Sequence, residues 1–255
     1  MTLADWIGLA FFAATALAIG SFVGALVLRL PAGATLWGRS RCPGCGAALA
    51  PRDLVPVLSW LWLRGRCRRC GVALGAFYPA VELASLGLAV WAWSVTEGGM
   101  LWASCALAWT LLALALIDLE HFLLPDLLTL PLAAGGLAVA WLLQPELLID
   151  DVAGAAIGYA LFAAVAWAYR RWHGREGLGA GDAKLLAALG AWVGASGLPS
   201  VVLLASLLAL AAALAARWFR MGGKLHGALH DRVPFGPALA AAGWIVWLYG
   251  PLPFG

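Results

Sequence analysis

Apolar residues run along most of the chain in long blocks, and short polar segments separate the blocks. Each block approaches the roughly 20 residues that an α-helix needs to cross about 30 Å of hydrocarbon. The pattern predicts eight membrane-spanning helices, at residues 6–28, 79–95, 101–117, 127–143, 152–169, 184–195, 201–218 and 237–249. The sixth is short unless it extends to residue 198. The predicted fold class is an all-α polytopic membrane protein.

The composition supports a membrane protein. Hydrophobic residues make up 64% of the chain and charged residues 11%, against about 25% charged residues in soluble domains. The fifteen tryptophans also fit, because tryptophan favours the two membrane interfaces. A soluble protein of this length could not bury so much apolar surface.

The distribution of lysine and arginine predicts the orientation in the membrane. All sixteen lie in three segments: eight at 29–69, four at 170–184 and four at 217–232. The opposite side carries only Asp5, Glu97, Glu146, Asp150 and Asp151 as charged residues, and basic loops face the cytoplasm. We therefore expect both termini outside, and a basic cytoplasmic face against the lipid bilayer. The chain opens without a charged leading region, so we expect the first span to be retained.

Two spans contain pairs of small residues at i and i+4. Gly20 and Gly24 lie in the first span, and Gly154 and Gly158 lie in the fifth. This spacing lets two helices approach closely, so it predicts helix packing at both places.

Residues 31–78 form the longest polar segment and contain four cysteines in two C-x2-C pairs. Cys42 and Cys45 form the first pair, Cys67 and Cys70 the second, and 21 residues separate the pairs. Four thiolates on two tight turns match tetrahedral zinc. The alternatives are two disulfides, which rarely persist in the reducing cytoplasm, and a reduced segment without metal. We predict zinc, since so short a segment needs such a constraint to fold.

Three acidic residues follow the third span. Asp118 ends an unbroken apolar run and is therefore the most deeply embedded. Glu120 reads as a solvated loop residue. Asp126 follows Pro125, and this position predicts the start of a helix, where an acid complements the helix dipole. An acid at the mouth of a membrane helix is usually functional, which favours Asp118.

A glycine-rich motif opens the sixth span. Gly179 and Gly181 precede Asp182, and Lys184 follows it. Two residues without side chains would let an extended peptide approach the carboxylate. The alternative is a helix start with Asp182 as N-cap. His226 and His230 have the spacing of a helical metal pair, but in a polar loop we do not expect a metal there.

Asp118 and Asp182 lie on the same predicted side of the membrane. Two carboxylates that share one proton can activate a water molecule and protonate a leaving amine. Neither a metal nor a covalent intermediate is required. The residues therefore predict an aspartyl peptidase dyad, provided that the third and sixth spans pack together.

The motif Gly179-Ala-Gly-Asp182-Ala-Lys184 resembles the GxGD motif of intramembrane aspartyl peptidases. The wider pattern resembles the bacterial type IV prepilin peptidases. This resemblance rests on the segments 20–31, 42–46, 56–60, 64–70, 78–82, 118–126, 178–184 and 234–237. The related preflagellin peptidases are a less suitable match because of the four-cysteine segment.

The resemblance implies specific roles. Asp118 and Asp182 would be the catalytic pair, with Gly179, Gly181 and Lys184 as active-site support. The four cysteines would bind the metal. Prepilins or pseudopilins would be the substrates, cut on the cytoplasmic side after a glycine. S-adenosylmethionine would methylate the new N-terminal residue, and Gly65 is the candidate for methyl transfer.

The expected organisation is a first transmembrane helix at 1–30, a cytoplasmic zinc-binding domain at 31–78 and a seven-helix peptidase bundle at 79–255. The expected location is the bacterial inner membrane, and no nucleic acid is expected as a partner. Two other classes compete with this interpretation. A transporter would need polar residues deep in several spans, which are almost purely apolar here. A non-enzymatic zinc-bearing scaffold for pilus or secretion assembly would not need Asp182.

Overall fold

The computed structural model describes residues 2–36, 38–174, 179–220 and 234–253. These residues form α1 (Leu3–Arg29), α2 (Leu58–Trp62), α3 (Phe77–Val95), α4 (Gly98–His121), α5 (Asp126–Leu143), α6 (Leu148–His173), α7 (Ala180–Arg220) and α8 (Gly236–Tyr249). Within these ranges the only β structure is a pair of isolated bridges. The all-α class is therefore confirmed. Leu178, Arg175, Lys224, Arg232 and the two histidines His226 and His230 lie outside the described residues.

Local sequence signals begin and end several helices. Thr2 and Asp5 form a capping box at the start of α1, in which each side chain bonds the other residue's backbone N–H. Gly174 ends α6 with φ of 66°, a left-handed conformation that glycine adopts without a steric penalty. These signals place the helix ends close to the polar segments that separate the apolar blocks.

Five described helical segments are long and apolar enough to cross a membrane. They are Leu3–Arg29, Gly98–His121, Asp126–Leu143, Pro145–His173 and Ala180–Trp218. Helix α8 is apolar but has only 14 residues. Large apolar side chains point away from the protein on these helices; Trp167 is 68% exposed, for example. Every predicted apolar block is helical in the structure except at Gly194, while the number of eight crossings stays a prediction.

The predicted sixth and seventh spans are joined without a loop, which corrects the expected break at residues 196–200. The break falls instead at Gly194, whose φ of 71° and ψ of 173° are not helical. A Cβ atom at Gly194 would overlap the Asp150 carboxylate. Asp150 also accepts a hydrogen bond from the Ser196 hydroxyl at 3.0 Å, at the start of the second helical segment. Ser196 therefore stabilises a helix start, and residues 196–200 are helical and do not form a loop.

The chain divides into two compact units. The first contains residues 1–97 and 104–113, and the second contains residues 98–103 and 114–255. In the first unit α1 packs on α3 at the predicted small residue Gly20, where a Cβ atom would lie 2.7 Å from the Glu82 Cα atom. The Ser85 hydroxyl donates to the Ala16 carbonyl at 2.7 Å across the same contact. This contact places the first turns of α3 beside α1.

Glycines also bring the helices of the second unit together. Gly154 of α6 and Gly190 of α7 face each other so closely that a Cβ atom on either would overlap the other's carbonyl oxygen. One turn away, a Cβ atom on Gly158 would lie 2.7 Å from the Leu186 carbonyl oxygen. The predicted packing role of the glycine pair in α6 is confirmed. The contact holds the first half of α7, which carries Asp182.

Candidate active site

Asp118 lies near the end of α4 and is only 6% exposed. Its Oδ2 atom accepts a hydrogen bond from the Gly236 backbone N–H at 2.9 Å. Gly236 is the first residue of α8, and the first N–H groups of a helix have no acceptor within the helix. The positive end of the α8 dipole therefore faces the Asp118 carboxylate.

Gly236 is a functional candidate that sequence reasoning did not single out. A Cβ atom there would lie 2.6 Å from Asp118 Oδ2 and 3.0 Å from Cγ. The sequence contains one indication of its importance, the segment 234–237, Pro-Phe-Gly-Pro. This segment contributes to the family resemblance, but the resemblance assigns it no role. Its role requires the tertiary structure, because 118 residues separate the glycine from the carboxylate.

Asp182 is the third residue of α7, so the alternative that it is the N-cap residue is wrong. Its Oδ2 atom accepts the Gly179 N–H at 3.2 Å, and its own N–H donates to the Gly179 carbonyl at 3.1 Å. An acid at this position commonly reaches back to the backbone at the helix start. The glycine motif therefore positions the Asp182 carboxylate at the first turn of α7.

The two motif glycines have different surroundings. A Cβ atom on Gly181 would lie 2.9 Å from the Leu124 Cβ atom, so close packing excludes a side chain there. Gly179 is exposed, and a Cβ atom there would meet only the Asp182 side chain at less than 3.9 Å. Gly181 therefore lets the α4–α5 connection approach α7, whereas only Gly179 leaves open space beside the carboxylate.

A cavity of about 500 Å³ contains both aspartates. One wall is the α4–α5 connection, which turns at Phe122 with a φ of 53°. The other wall is the start of α7. The predicted residues that line the cavity are Asp118, Asp182, Gly179, Gly181 and Lys184, together with Asp126. The structure thus brings the whole predicted peptidase set to one site.

The three acids after the third span have distinct environments. Asp126 begins α5, as predicted, and its Oδ1 atom accepts a hydrogen bond from the Lys184 ammonium at 2.6 Å. Glu120 lies 3.8 Å from the His121 imidazole and does not line the cavity. Asp118 is the most buried of the three and lines the same cavity as Asp182. Lys184 therefore neutralises Asp126 and joins the starts of α5 and α7.

The four cysteines of the polar segment lie together, and their sulfur atoms are all within 4.8 Å of one another. The two C-x2-C turns have the same backbone pattern. Gly46 N–H donates to the Cys42 carbonyl and Gly71 N–H to the Cys67 carbonyl, each at 2.9 Å, and both glycines have φ near 70°. Two equivalent turns thus present two sulfurs each.

The sulfur positions fit a tetrahedral metal better than disulfides. Cys42 Sγ and Cys70 Sγ are 3.7 Å apart, whereas a disulfide requires about 2 Å. A Zn–S distance of about 2.3 Å places tetrahedral sulfurs about 3.8 Å apart. Backbone N–H groups of Cys70 and Arg69 donate to the Cys67 sulfur and lower the pKa of this thiol to about 6. Despite the Val72 backbone hydrogen bond, burial and the neighbouring thiols raise the pKa of Cys70 to about 11, so of these two thiols it is Cys67 that favours the thiolate, the form that binds metals.

A second cavity, of about 640 Å³, lies in the first unit among α1, α2, α3 and the cysteine segment. Its walls include Glu82, Trp60 and Tyr78. Gly65, predicted for methyl transfer, is not part of the lining. With φ of 65°, it lies under the Trp60 ring, where a Cβ atom would be 2.9 Å from a ring carbon. Gly65 therefore lets Trp60 adopt its position in the cavity wall.

Apolar helices whose ends bring two carboxylates into one cavity are typical of an aspartyl peptidase embedded in a membrane. Comparison with known families agrees with this class. The profile described as "Bacterial Peptidase A24 N-terminal domain" matches residues 14–96, and that of the "Type IV leader peptidase family" matches residues 105–214.

The chain is similar to proteins named "Prepilin leader peptidase/N-methyltransferase". It is 42% identical to the one from Aeromonas salmonicida, over 83% of this chain and 72% of the relative. It is 40% identical to the one from Burkholderia pseudomallei, over 83% and 67%, and 39% identical to the one from Pseudomonas aeruginosa, over 83% and 71%. No solved structure matches. The chain belongs to the type IV leader peptidase family and is a multi-pass membrane enzyme of that family.

Proposed function

We propose that the protein cleaves the basic leader from type IV prepilins or pseudopilins and methylates the new N-terminal residue. The observation that carries the peptidase proposal is the cavity shared by Asp118 and Asp182. The names of the similar proteins combine the same two activities, and their prepilin substrates are the source of the substrate assignment.

In the proposed reaction one aspartate is ionised and the other is protonated. The ionised carboxylate takes a proton from water, and the protonated partner donates a hydrogen bond to the scissile carbonyl. A proton then passes to the leaving amine. The two groups act as one titrating pair. The Gly236 N–H and the Gly179 N–H orient the two carboxylates, and neither donor has a side chain that would close the cavity.

The expected cut lies on the cytoplasmic side after a glycine. Asp118 follows an apolar span and Asp182 precedes one, and the segments that surround Asp182 in sequence carry basic residues. Basic segments stay in the cytoplasm. A prepilin has a positive leader before its apolar helix. Its cut site would therefore lie at the cytoplasmic membrane interface, the depth proposed for Asp118 and Asp182.

For methylation we propose S-adenosylmethionine as the donor, and for the four cysteines a structural zinc ion. When bound, S-adenosylmethionine supplies an electrophilic methyl group to an amine. The zinc would be held by Cys42, Cys45, Cys67 and Cys70 and would fix the cysteine segment. Gly65 would contribute to methyl transfer by allowing the position of the Trp60 ring.

The test is cleavage of a synthetic prepilin by the detergent-purified protein and by Asp118→Asn and Asp182→Asn variants. Mass spectrometry reports the cut position. We expect wild type to cut after the leader glycine and each variant to lose at least about a thousandfold in rate, since the pair acts as a unit. Glu120→Gln is the matched control, because this acid lies outside the cavity.

Cleavage that survives either Asn substitution would contradict the assigned dyad. Loss of cleavage in Glu120→Gln would indicate that removal of any nearby acid is damaging. If wild type failed on several prepilins, the peptidase proposal itself would be wrong.

A further inference from the structure

The cavity in the first unit contains a carboxylate that the peptidase reaction does not use. Glu82 lies in the second turn of α3 and is only 4% exposed. It forms no ion pair with any residue that the structure describes. A buried carboxylate without a cationic partner is costly, so this position favours a positively charged ligand.

Glu82 is held in place by an unusual stretch of backbone. Its Oε2 atom accepts the Val57 N–H at 2.7 Å, while Oε1 has no hydrogen-bond partner among the described residues. Val57 has φ of 58° and ψ of −51°, and the next N–H donates to the Pro56 carbonyl at 2.5 Å. This is a γ-turn of the rare, strained form, here at a β-branched residue. Such strain is concentrated at ligand-binding sites.

The arginines that line the cavity form no ion pair with Glu82. The Arg29 guanidinium donates to the carbonyls of Leu36 and Gly38 and to the Ser40 hydroxyl. Arg41 donates to the Gly46 carbonyl. Both cations are therefore held by the polar segment, and neither they nor Arg39, the third arginine of the cavity wall, lie within the 4 Å of an ion pair with Glu82.

The remaining walls suit a flat aromatic group. The Trp60 ring is fixed by Gly65 beneath it and by its Nε1–H, which donates to the Leu74 carbonyl at 3.2 Å. Tyr78 packs against Gly24, where a Cβ atom would lie 3.0 Å from the Tyr78 ring. The cavity thus combines one unpaired carboxylate, nearby arginines and two aromatic faces in about 640 Å³, a volume typical of small-molecule sites.

We propose that this cavity binds the methyl donor, and that Glu82 faces the positive charge of that donor. The inference rests on the proposed methyl transfer and gives it a location. S-adenosylmethionine carries a sulfonium and an ammonium that match a carboxylate, a carboxylate that matches arginine, and an adenine that stacks on aromatic rings.

This site would support transfer of the methyl group from the sulfonium sulfur to the terminal nitrogen. The terminal ammonium of the cleaved protein first gives a proton to water. A bond then forms between the amine nitrogen and the methyl carbon as the carbon–sulfur bond breaks. The sulfur keeps that electron pair and becomes a neutral thioether, and the positive charge ends on the methylated nitrogen.

The test measures binding of S-adenosylmethionine to the full-length, detergent-purified protein by calorimetry, without any prepilin. We expect Glu82→Gln to weaken binding about tenfold or more, the loss expected for one hydrogen bond to a charged group. Glu97→Gln, an exposed acid of the same unit, is the matched control and should bind as wild type does. S-adenosylhomocysteine, which lacks the sulfonium charge, is the second probe: a smaller loss with it assigns Glu82 to the sulfonium, and an equal loss to the ammonium.

The melting temperature without ligand shows whether Glu82→Gln is folded. A second variant tests the same location if Glu82→Gln is misfolded. Ala25→Leu keeps Glu82 but adds a larger side chain to the cavity wall, so it should also weaken binding. Unchanged binding in both variants would overturn the location, even where wild type cleaves and methylates. A wild-type protein that cleaves but does not bind the donor would instead contradict the methylation proposal.

Discussion

At the scale of single residues, the candidate active site depends on backbone groups as much as on side chains. Asp118 and Asp182 each accept a backbone N–H at a helix start, from Gly236 and Gly179 respectively. Each donor is a glycine, so the carboxylate stays accessible from the cavity. The orientation of the pair is thus set by helix ends, which are more rigid than loops.

Gly236 provides a direct test of this arrangement. We expect Gly236→Ala to lower the cleavage rate about a hundredfold. The new Cβ atom would overlap the Asp118 carboxylate and force it out of its position. The rate is measured on the synthetic prepilin. Gly87→Ala is the control, since a Cβ atom on Gly87 would meet no other atom within 4 Å. An active Gly236→Ala protein would show that Asp118 does not need this geometry.

At the scale of elements, the cysteine segment is a pair of equivalent turns. Arg41 bridges Ala48 in the first turn and Arg66 bridges Ala73 in the second, and each turn uses one glycine with positive φ. Neither turn belongs to a helix or sheet that would fix it to the rest of the segment. The sulfur cluster is therefore the main constraint that holds them together.

We expect the purified protein to contain about one zinc ion per chain, measured by mass spectrometry of the metal. Cys42→Ser should remove the zinc and make the segment sensitive to limited proteolysis, because three remaining thiolates leave the site incomplete. Cys105→Ala should keep the zinc, since this thiol lies in α4 outside the cluster. Full zinc content in Cys42→Ser would contradict the four-cysteine assignment.

At the scale of the whole molecule, the charge distribution along the sequence predicts the orientation in the membrane. The segment between α5 and α6 carries Glu146 and no basic residue, so we expect it outside. In intact cells, Glu146→Cys should react with a maleimide that does not cross the inner membrane. Arg52→Cys, in the polar segment, should react only after lysis. The reverse result would invert the proposed topology.

The sequence alone determined the class of fold and most of the candidate site. Apolar blocks predict membrane helices because the bilayer tolerates little else, and two C-x2-C pairs predict a metal site by their spacing. Asp118 and Asp182 stood out since acids at the mouths of apolar helices are rare. These features are local in the chain, so periodicity and short motifs contain them.

The tertiary structure decided the features that depend on contacts between distant residues. Gly236 reaches Asp118 only when α8 starts beside the end of α4. The break in α7 falls at Gly194, because the Asp150 carboxylate from α6 occupies the place of a side chain there. Lys184 pairs with Asp126, 58 residues away. The unpaired carboxylate of Glu82 is visible only once α1, α3 and the polar segment enclose it. Burial and hydrogen-bond partners are properties of the packed chain, and no local pattern encodes them.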